Sequence, residues 1–251
     1  MKRFADKSSL GDRMKLFYEA PSLYKLPMRL PVIIRLDGRA FHTLTKSLDR
    51  PFDDDLIKVM QDTAVYLCEN ITGAVGAYVQ SDEISILIHT YKKLDSQAWF
   101  GNEVQKIVSI SSSMASAYAT LNSAYAFRAP TLVQFDSRVF VLPESEVCNY
   151  FIWRQQDWER NSIQMLAQSL FTHKECHKKN MKMLKDMCKT KGKNWDKLAP
   201  IYKSGTFINK TPTVYDNNGK LLSRGKWVRE TVTPRFDKDR DVINKLLITE
   251  E

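Results

Sequence analysis

The chain has 251 residues, 43% of them hydrophobic and 27% charged, which suits one large domain, or one domain with a helical appendage, around a substantial core. No apolar run is long enough to span a bilayer, and Met1 to Ser9 turns polar at once and lacks the apolar heart of a secretory signal, so a cytoplasmic protein without a membrane partner is expected. Lys and Arg number 38 against 29 acidic residues, a net charge of +9 that favours an anionic partner through counterion release without identifying it. The four cysteines (Cys68, Cys148, Cys176, Cys188) lie far apart without a CxxC pair, which fits reduced thiols better than a disulfide framework.

In chain order, residues 31–37 read as a strand, a short apolar run opened by Pro31. Residues 53–71 read as a helix, with Asp53, Asp54 and Asp55 in the first turn, where carboxylates suit the helix dipole, and Ile57, Met60, Ala64, Leu67 and Cys68 at helical spacing. Residues 75–80 and 83–89 read as two strands joined at Ser81-Asp82, apolar on both faces and therefore central. A long helix at about 99–126 is rich in Ser and Ala, small enough to pack closely on a sheet. A further strand is expected over 131–142.

The order strand, helix, strand, strand, helix, strand predicts an α+β fold. It is the ferredoxin-like βαββαβ unit that also forms the palm of many polymerases and nucleotide cyclases. Fold analogy alone does not assign a function. The expected organisation is a palm-like catalytic core over 1–143 and a helical and hairpin extension over 144–251, packed on the core as one continuous unit.

In that extension residues 144–190 read as helical, with Trp153, Trp158, Ile163, Leu166 and Leu170 spaced as an apolar face. Residues 173–197 carry nine lysines against three acidic residues. The bland interpretation is a solvated helix face. The sharper one is a track for the phosphate backbone of RNA, with Lys174, Lys178, Lys179, Lys182 and Lys185 at its head. His173, Cys176 and His177 could share a helix face with Cys188 three turns on, although the loop-and-turn spacing of structural zinc sites is missing. Asn217-Asn218-Gly219 reads as a hairpin turn between Thr213-Val214-Tyr215 and Lys220-Leu221-Leu222, and 226–229 as its continuing strand.

Two segments carry the chemistry. Val32 to Asp37 delivers a carboxylate at a strand end, and Ser81-Asp82-Glu83 places two adjacent carboxylates at a tight connection between two more strands. Carboxylates on rigid neighbouring supports can bridge two divalent cations about 4 Å apart around a phosphate, the arrangement of nucleotidyl transfer. Magnesium fits hard oxygen ligands and keeps part of its shell for phosphate. Asp37 and Asp82 are the expected bridging pair, Gly38 allows its backbone to approach a metal or phosphate, and Glu83 is the weaker catalytic candidate. Arg39, Phe41 and His42 follow where the chain would begin to wrap a nucleotide. Ser81 can offer a hydroxyl to phosphate, Lys46 and Arg50 can meet triphosphate oxygens, and Arg138 sits on a third strand of the same sheet.

Arg35-Leu36-Asp37-Gly38-Arg39-Ala40-Phe41-His42, Gln80-Ser81-Asp82-Glu83, Phe135-Asp136-Ser137-Arg138-Val139 and Trp153-Arg154-Gln155 together resemble the tRNA-His guanylyltransferase (Thg1) superfamily over most of residues 30–210. That resemblance implies a palm-like domain, two Mg2+ ions, ATP and GTP or other nucleoside triphosphates as substrates, tRNA as partner, a homotetramer, and 3′-to-5′ nucleotide addition at a tRNA 5′ end. It also implies Asp37 and Asp82 as metal carboxylates, Gly38 as a backbone ligand, and contacts from residues Asp37 to His42, including Ala40, and from Ser81-Asp82 to the incoming nucleotide. Eukaryotic members that add the extra guanylate carry His-Ile-Asn-Asn-Leu-Tyr-Asn after the Trp-Arg-Gln segment. Here those positions read Glu159-Arg160-Asn161-Ser162-Ile163-Gln164-Met165, and only Asn161, which the resemblance implies as a nucleotide contact, keeps its place. Arg50-Pro51-Phe52-Asp53 also departs from the family's frequent Lys-Pro-Asn-Asp. The chain is thus more similar to the Thg1-like proteins, for which the implied activity is template-dependent repair of 5′-truncated tRNA. Guanylate addition to tRNA-His, another palm-type nucleotidyltransferase or cyclase, and a non-catalytic RNA-binding module are the alternatives.

Overall fold

Residues 9–248, other than 92, 218, 219 and 231 and the side chains of 214–224, are described by a computed structural model. Helix α1 (Leu10–Met14) starts at Ser9, whose hydroxyl accepts from the Asp12 amide at 3.1 Å, and short helical turns carry the chain on to Ser22. None of these N-terminal residues is buried. There follow β1 (Val32–Gly38), α2 (Phe41–Leu44), α3 (Asp54–Asn70), β2 (Ala74–Gln80), β3 (Glu83–Ile88), α4 (Val104–Phe127) and β4 (Phe135–Val141). The second half adds α5 (Glu144–Leu170), α6 (His173–Cys176), α7 (Met181–Thr190), α8 (Pro200–Ser204), β5 (Thr206–Asn217), β6 (Lys220–Arg229) and α9 (Asp241–Asn244). Among the described residues no helix is long and apolar enough to cross a membrane.

The strands form one antiparallel sheet in the order β4-β1-β3-β2-β5-β6, so the fold is the α+β arrangement expected. Strand alternation divides the side chains between two cores. Ile34, Leu36, Ile84 and Ile86 face α3 and α4, while Ile33, Tyr78 and Leu87 face α5 with Phe151, Phe207 and Phe236. Each of these apolar side chains is fully buried, stabilising the fold by roughly 1.5–3 kcal/mol apiece. Every residue of β3 is buried, which explains why its sequence is apolar on both faces. Ser111, Ala115, Ala119 and Ser123 bring α4 close to the sheet, the role expected of its small residues. Asp53 caps α3, its carboxylate accepting from the Leu56 amide at 2.8 Å.

Three expectations are corrected. The last strand of the core begins at Phe135 rather than 131. The amides of Thr131, Val133 and Phe135 donate to the hydroxyls of Ser123, Thr120 and Ser116 on α4 at 2.8–3.0 Å, so this stretch satisfies its backbone on a helix instead of a ladder. The helix expected over 144–190 is interrupted: Phe171 is extended, Thr172 and Glu175 form a capping box, and Asn180 caps α7 afresh. That break folds α7 back on α5, burying Ile163, Leu166, Leu184, Cys188 and Trp195 together. Finally, Trp153 does not join the apolar face of α5 but remains 48% exposed. Asn217 pairs with Lys220, and the turn expected at Asn218-Gly219 lies outside the described residues.

The second half is tied into the same sheet. Strand β5 pairs with β2, and Gln61 on α3 donates to the Thr206 hydroxyl at 2.8 Å. Buried Gln155 on α5 donates to the Pro234 carbonyl at 2.9 Å and accepts from the Phe236 amide at 3.0 Å, clamping the C-terminal segment to the sheet's α5 face.

Thr120→Val keeps the shape of the α4–β4 contact and removes the acceptor for the Val133 amide. It should lower the free energy of unfolding in urea by about 1–3 kcal/mol. An unchanged midpoint would show that this segment does not depend on the helix hydroxyls.

Candidate active site

The end of β1 is held on both sides. The Gly38 amide donates to the Asp82 carbonyl at 3.0 Å and the Arg39 amide to the Gln134 carbonyl at 2.8 Å. Asp37 lies in register with Glu83 on β3 and with Asp136 on β4. All three point to the α5 face, because Leu36 and Ile84 take the other. Immediately after Gly38 the chain turns through Ala40, which adopts a left-handed conformation (φ 57°), into α2. Gly38 is required here: a Cβ would run into the ring of Phe41, which packs beneath it against Phe135 at 5.6 Å. The Ser81-Asp82 connection is tight, with Ser81 also left-handed (φ 49°), a conformation that costs a non-glycine residue about 1–2 kcal/mol. It is held because Gln80 and Glu83 close the ladder on either side.

Electrostatics sorts the carboxylates. Glu83 is buried and accepts two 2.7 Å bonds from the Arg154 guanidinium, with Arg35 Nε 3.8 Å away. This bidentate pair neutralises it and turns it away from the solvent side. Arg138 stands 3.6 Å from Asp136 and 3.9 Å from Asp37. Among the described residues Asp82 has no cationic partner. Burial, and then the charge of Asp37, push its carboxyl up to about 6, against the opposing help of its own backbone amide and the Ser81 hydroxyl. Two carboxylates held together, with only Arg138 at 3.9 Å from Asp37 to offset them among the described residues, form a site that gains from a divalent ion. Among the described residues no group of three or more His, Cys, Asp or Glu is placed to hold a metal. The protein would thus offer Asp37, Asp82 and the Gly38 carbonyl, and leave the rest of an oxygen shell to phosphate and water, a donor set that fits magnesium.

Beside Asp82 opens a cleft of about 400 Å³. Phe41, Leu48, Phe52, Ile57, Trp158 and Met165 give it apolar walls, and Ser81, His42, Arg50, Asp53, Gln168 and Ser169 supply polar groups. Phe52 is fixed by stacking on Tyr202 at 4.7 Å, whose hydroxyl donates to Asp54 at 2.6 Å. Apolar walls with a few converging polar groups suit a nucleobase and its sugar, with phosphates directed to the carboxylate end.

Of the residues expected to bind nucleotide, the structure gathers Phe41, His42, Arg50, Ser81 and Asp82 around this cleft, with Asp37, Gly38 and Ala40 at the adjoining strand end. It directs Arg39 to the Gln134 side chain at 2.8 Å, and leaves Lys46 and Asn161 exposed outside the lining. Lys174, Lys178, Lys179 and Lys182 are exposed along α6, α7 and their connection. Lys185 is committed to Asp196 at 3.1 Å and to the face of Trp195 at 3.8 Å. The zinc arrangement does not form: helix α6 ends at Cys176, Lys178 turns left-handed, and among the described residues no metal-holding group results. Sequence reasoning missed Phe52 and Trp158 as cleft walls and Arg154 as the partner of Glu83. The only signal for the last was an Arg beside an aromatic on a long helix.

The family model described as Thg1, tRNAHis guanylyltransferase, matches residues 11–143. A solved structure of a bacterial tRNA(His) guanylyltransferase (Thg1)-like protein in complex with ATP is 44% identical, with a TM-score of 0.86 over 96% of this chain and 99% of that chain. One in complex with GTP is also 44% identical, with a TM-score of 0.82 over 96% and 100%. The tRNA(His) guanylyltransferase of Saccharomyces cerevisiae, at 17% identity and a TM-score of 0.68 over 86% and 96%, shares the fold. The probable tRNA(His) guanylyltransferase of Homo sapiens is 32% identical over 53% of this chain and 45% of its own length. An uncharacterized protein of Acanthamoeba polyphaga mimivirus is 30% identical over 64% and 63%. The chain thus spans about half to two-thirds of the length of these curated relatives.

Because the folded-state pKa of Asp82 lies above its ordinary 3.8, this group subtracts stability as pH rises. The penalty is absent below about pH 4, grows between pH 4 and 6, and is constant above, at roughly 2–3 kcal/mol. Asp82→Asn should therefore raise the melting temperature of the chelator-treated protein at pH 7.5, with a smaller gain at pH 4.5. Equal gains at both pH values would show that Asp82 is not held as a strained charge.

Proposed function

The chain belongs to the tRNAHis guanylyltransferase family, and from that premise we propose that it is a template-dependent 3′-to-5′ nucleotidyltransferase that rebuilds 5′-truncated tRNA. The observation that carries the reading is the Asp37–Asp82 pair, locked by the 3.0 Å Gly38–Asp82 backbone bond at the mouth of the cleft. We read residues 1–143 as a polymerase palm-like catalytic core and 144–251 as its extension. By family resemblance the protein is a cytoplasmic homotetramer, and the exposed Leu121 and Leu132 supply apolar surface for assembly.

The chemistry has two stages. An oxygen of the tRNA 5′-monophosphate attacks the α-phosphorus of ATP, and pyrophosphate leaves. The 3′-hydroxyl of an incoming nucleoside triphosphate then attacks the activated 5′-phosphorus, and AMP leaves. An end that already carries a triphosphate skips the first stage and releases pyrophosphate in the second. Two Mg2+ ions, held by Asp37, Asp82 and the Gly38 carbonyl, would supply charge neutralisation and a lowered pKa for the attacking hydroxyl.

The remaining work belongs to side chains. Phe41, Leu48, Phe52, Trp158 and Met165 take the base and exclude water from it. Ser81, His42, Arg50 and Arg138 meet phosphate oxygens, and Lys46 reaches the triphosphate from the following turn. Arg154 keeps Glu83 neutralised, so that Asp82 beside it carries the reactive negative charge. Lys174, Lys178, Lys179, Lys182 and Lys185 lie along the path of the tRNA backbone, and base pairing with the opposite strand selects the nucleotide, so the protein need not read sequence.

Guanylate addition to tRNA-His is the second reading, favoured by the names of the curated relatives. Against it, Glu159 and Arg160 stand in the segment that departs from the guanylate-adding members. They are engaged in ion pairs, Glu159 with Arg235 at 3.4 Å and Arg160 with Asp157.

Incubation with ATP, all four nucleoside triphosphates and magnesium should extend a tRNA lacking its first nucleotide by the Watson–Crick match. Full-length tRNA-His should be a poorer substrate. Extension of tRNA-His alone, by G only, would restore the second reading. Asp37→Ala and Asp82→Ala should each retain tRNA binding and lose addition by roughly 10³-fold or more. Retained addition would remove the carboxylates from the mechanism.

A further inference from the structure

Trp153 is a large aromatic side chain left half exposed on a helix whose neighbouring positions Tyr150, Phe151 and Arg154 are buried. It is nevertheless fixed. The Arg154 guanidinium lies 4.4 Å from its ring centroid, Arg35 lies 6.0 Å away, and Tyr150 meets it edge-on at 5.9 Å. Arg154 cannot swing away, since it is tied by two 2.7 Å bonds to Glu83 and one of 2.9 Å to Asp157. The ring is thus a rigid plate, backed by a charge, at one wall of a groove of about 710 Å³ between α5 and α7.

The opposite wall, on α7, is basic: Lys182, Lys185 and Lys189 line it with Asp186, while Glu159 and Arg160 stand beside Trp153 on α5. The two acids are already paired, Glu159 with Arg235 at 3.4 Å and Asp186 with Lys189 at 3.2 Å. Lys182 forms no ion pair among the described residues. The groove also abuts the reaction site, because Arg35 precedes Asp37 by two residues on β1 and Arg154 grips the residue after Asp82.

A fixed aromatic face opposite a row of cations is the chemistry that takes a single nucleic-acid strand, with a base on the ring and phosphates on the lysines. A duplex hides its base faces and satisfies only the second requirement. We propose that the α5–α7 groove binds unpaired nucleotides beside the acceptor end of the RNA, with Trp153 as the stacking platform and Lys182 and Lys189 on the phosphates. This rests on the reading of the chain as an enzyme of RNA 5′ ends and adds to it where the unpaired strand lies.

The test compares a labelled hairpin RNA carrying a short unpaired 3′ tail with the same hairpin cut blunt, by fluorescence anisotropy, with ATP affinity measured alongside. In the wild type the tail should tighten binding. Trp153→Ala should remove that gain, weakening the tailed RNA about 5- to 150-fold and the blunt RNA little, and Trp153→Phe should restore most of it. Lys182→Ala should lower the slope of log affinity against log salt for the tailed RNA by about 0.7. A tail that adds nothing, or a Trp153→Ala variant that weakens both RNAs alike, would overturn the proposal. A loss of ATP affinity together with RNA affinity would also overturn it, by assigning Trp153 to the support of Arg154 and Glu83. Tail-dependent binding through Trp153 by a protein that extends no RNA end would sink the enzyme reading and leave the groove standing. Extension with tail binding indifferent to Trp153 would do the reverse.

Discussion

Three carboxylates lie side by side across adjacent strands at one end of the sheet, Glu83 on β3, Asp37 on β1 and Asp136 on β4, and Asp82 adds a fourth at the neighbouring turn. Like charges directly opposite one another destabilise a sheet, so this end of the fold exists only because the charges are divided. Arg154 takes Glu83 in a buried bidentate pair, and Arg138 stands against Asp136. Asp37 and Asp82 are left partly exposed with less compensation than either. Removing Arg154 would strand a buried charge, at a cost of about 3–5 kcal/mol, and would erase the distinction between the carboxylate that is neutralised and the pair that is available. The rest of the molecule serves this division. Helix α5 carries Arg154 to the sheet, and Gln155, next to it, anchors the C-terminal segment against the same face.

Much of this was legible in the sequence because it depends on local pattern. The two apolar faces of β3, the acidic first turn of α3 and the small residues of α4 each reflect the immediate surroundings of a single element. The pairing of Asp37 with Asp82 followed from strand order, since βαββ connectivity makes β1 and β3 neighbours. The parts that were not legible depend on partners distant in the chain. Glu83 looks like a loop carboxylate until Arg154, 71 residues away, is brought to it. Trp153 has the spacing of a core residue, and only the docking of α5 on the sheet shows that its ring is turned to the groove. Residues 131–134 are apolar enough for a strand, but hydroxyls on α4 compete for their amides. The reversal between α5 and α7 depends on a capping box at Thr172, which the run of lysines around it obscured.

The extension after residue 143 is continuous with the core in physical terms, since β5 and β6 prolong its sheet and α5 covers its second face. Trp153, which shares a groove with the α7 lysines, lies 4.4 Å from Arg154 and 6.0 Å from Arg35, so that groove adjoins the carboxylate end of the sheet. The 44% identity to bacterial Thg1-like proteins runs over 96% of the chain, whereas the matches to curated guanylyltransferases cover from 53% to 70% of it. The family model covers residues 11–143, which hold β1 to β4 with Asp37, Asp82, Glu83 and Asp136, and ends before Glu159 to Met165 on α5.

In the proposed reaction Asp37 and Asp82 would together hold two divalent ions once a triphosphate completes the shell. Electron paramagnetic resonance of Mn2+ bound to the protein with an unreactive nucleoside triphosphate analogue measures this directly. Two Mn2+ ions per chain are expected, close enough to show spin coupling, with the coupled signal lost in both Asp37→Asn and Asp82→Asn. Two coupled ions retained in either variant, or no protein-dependent coupling in the wild type, would contradict it.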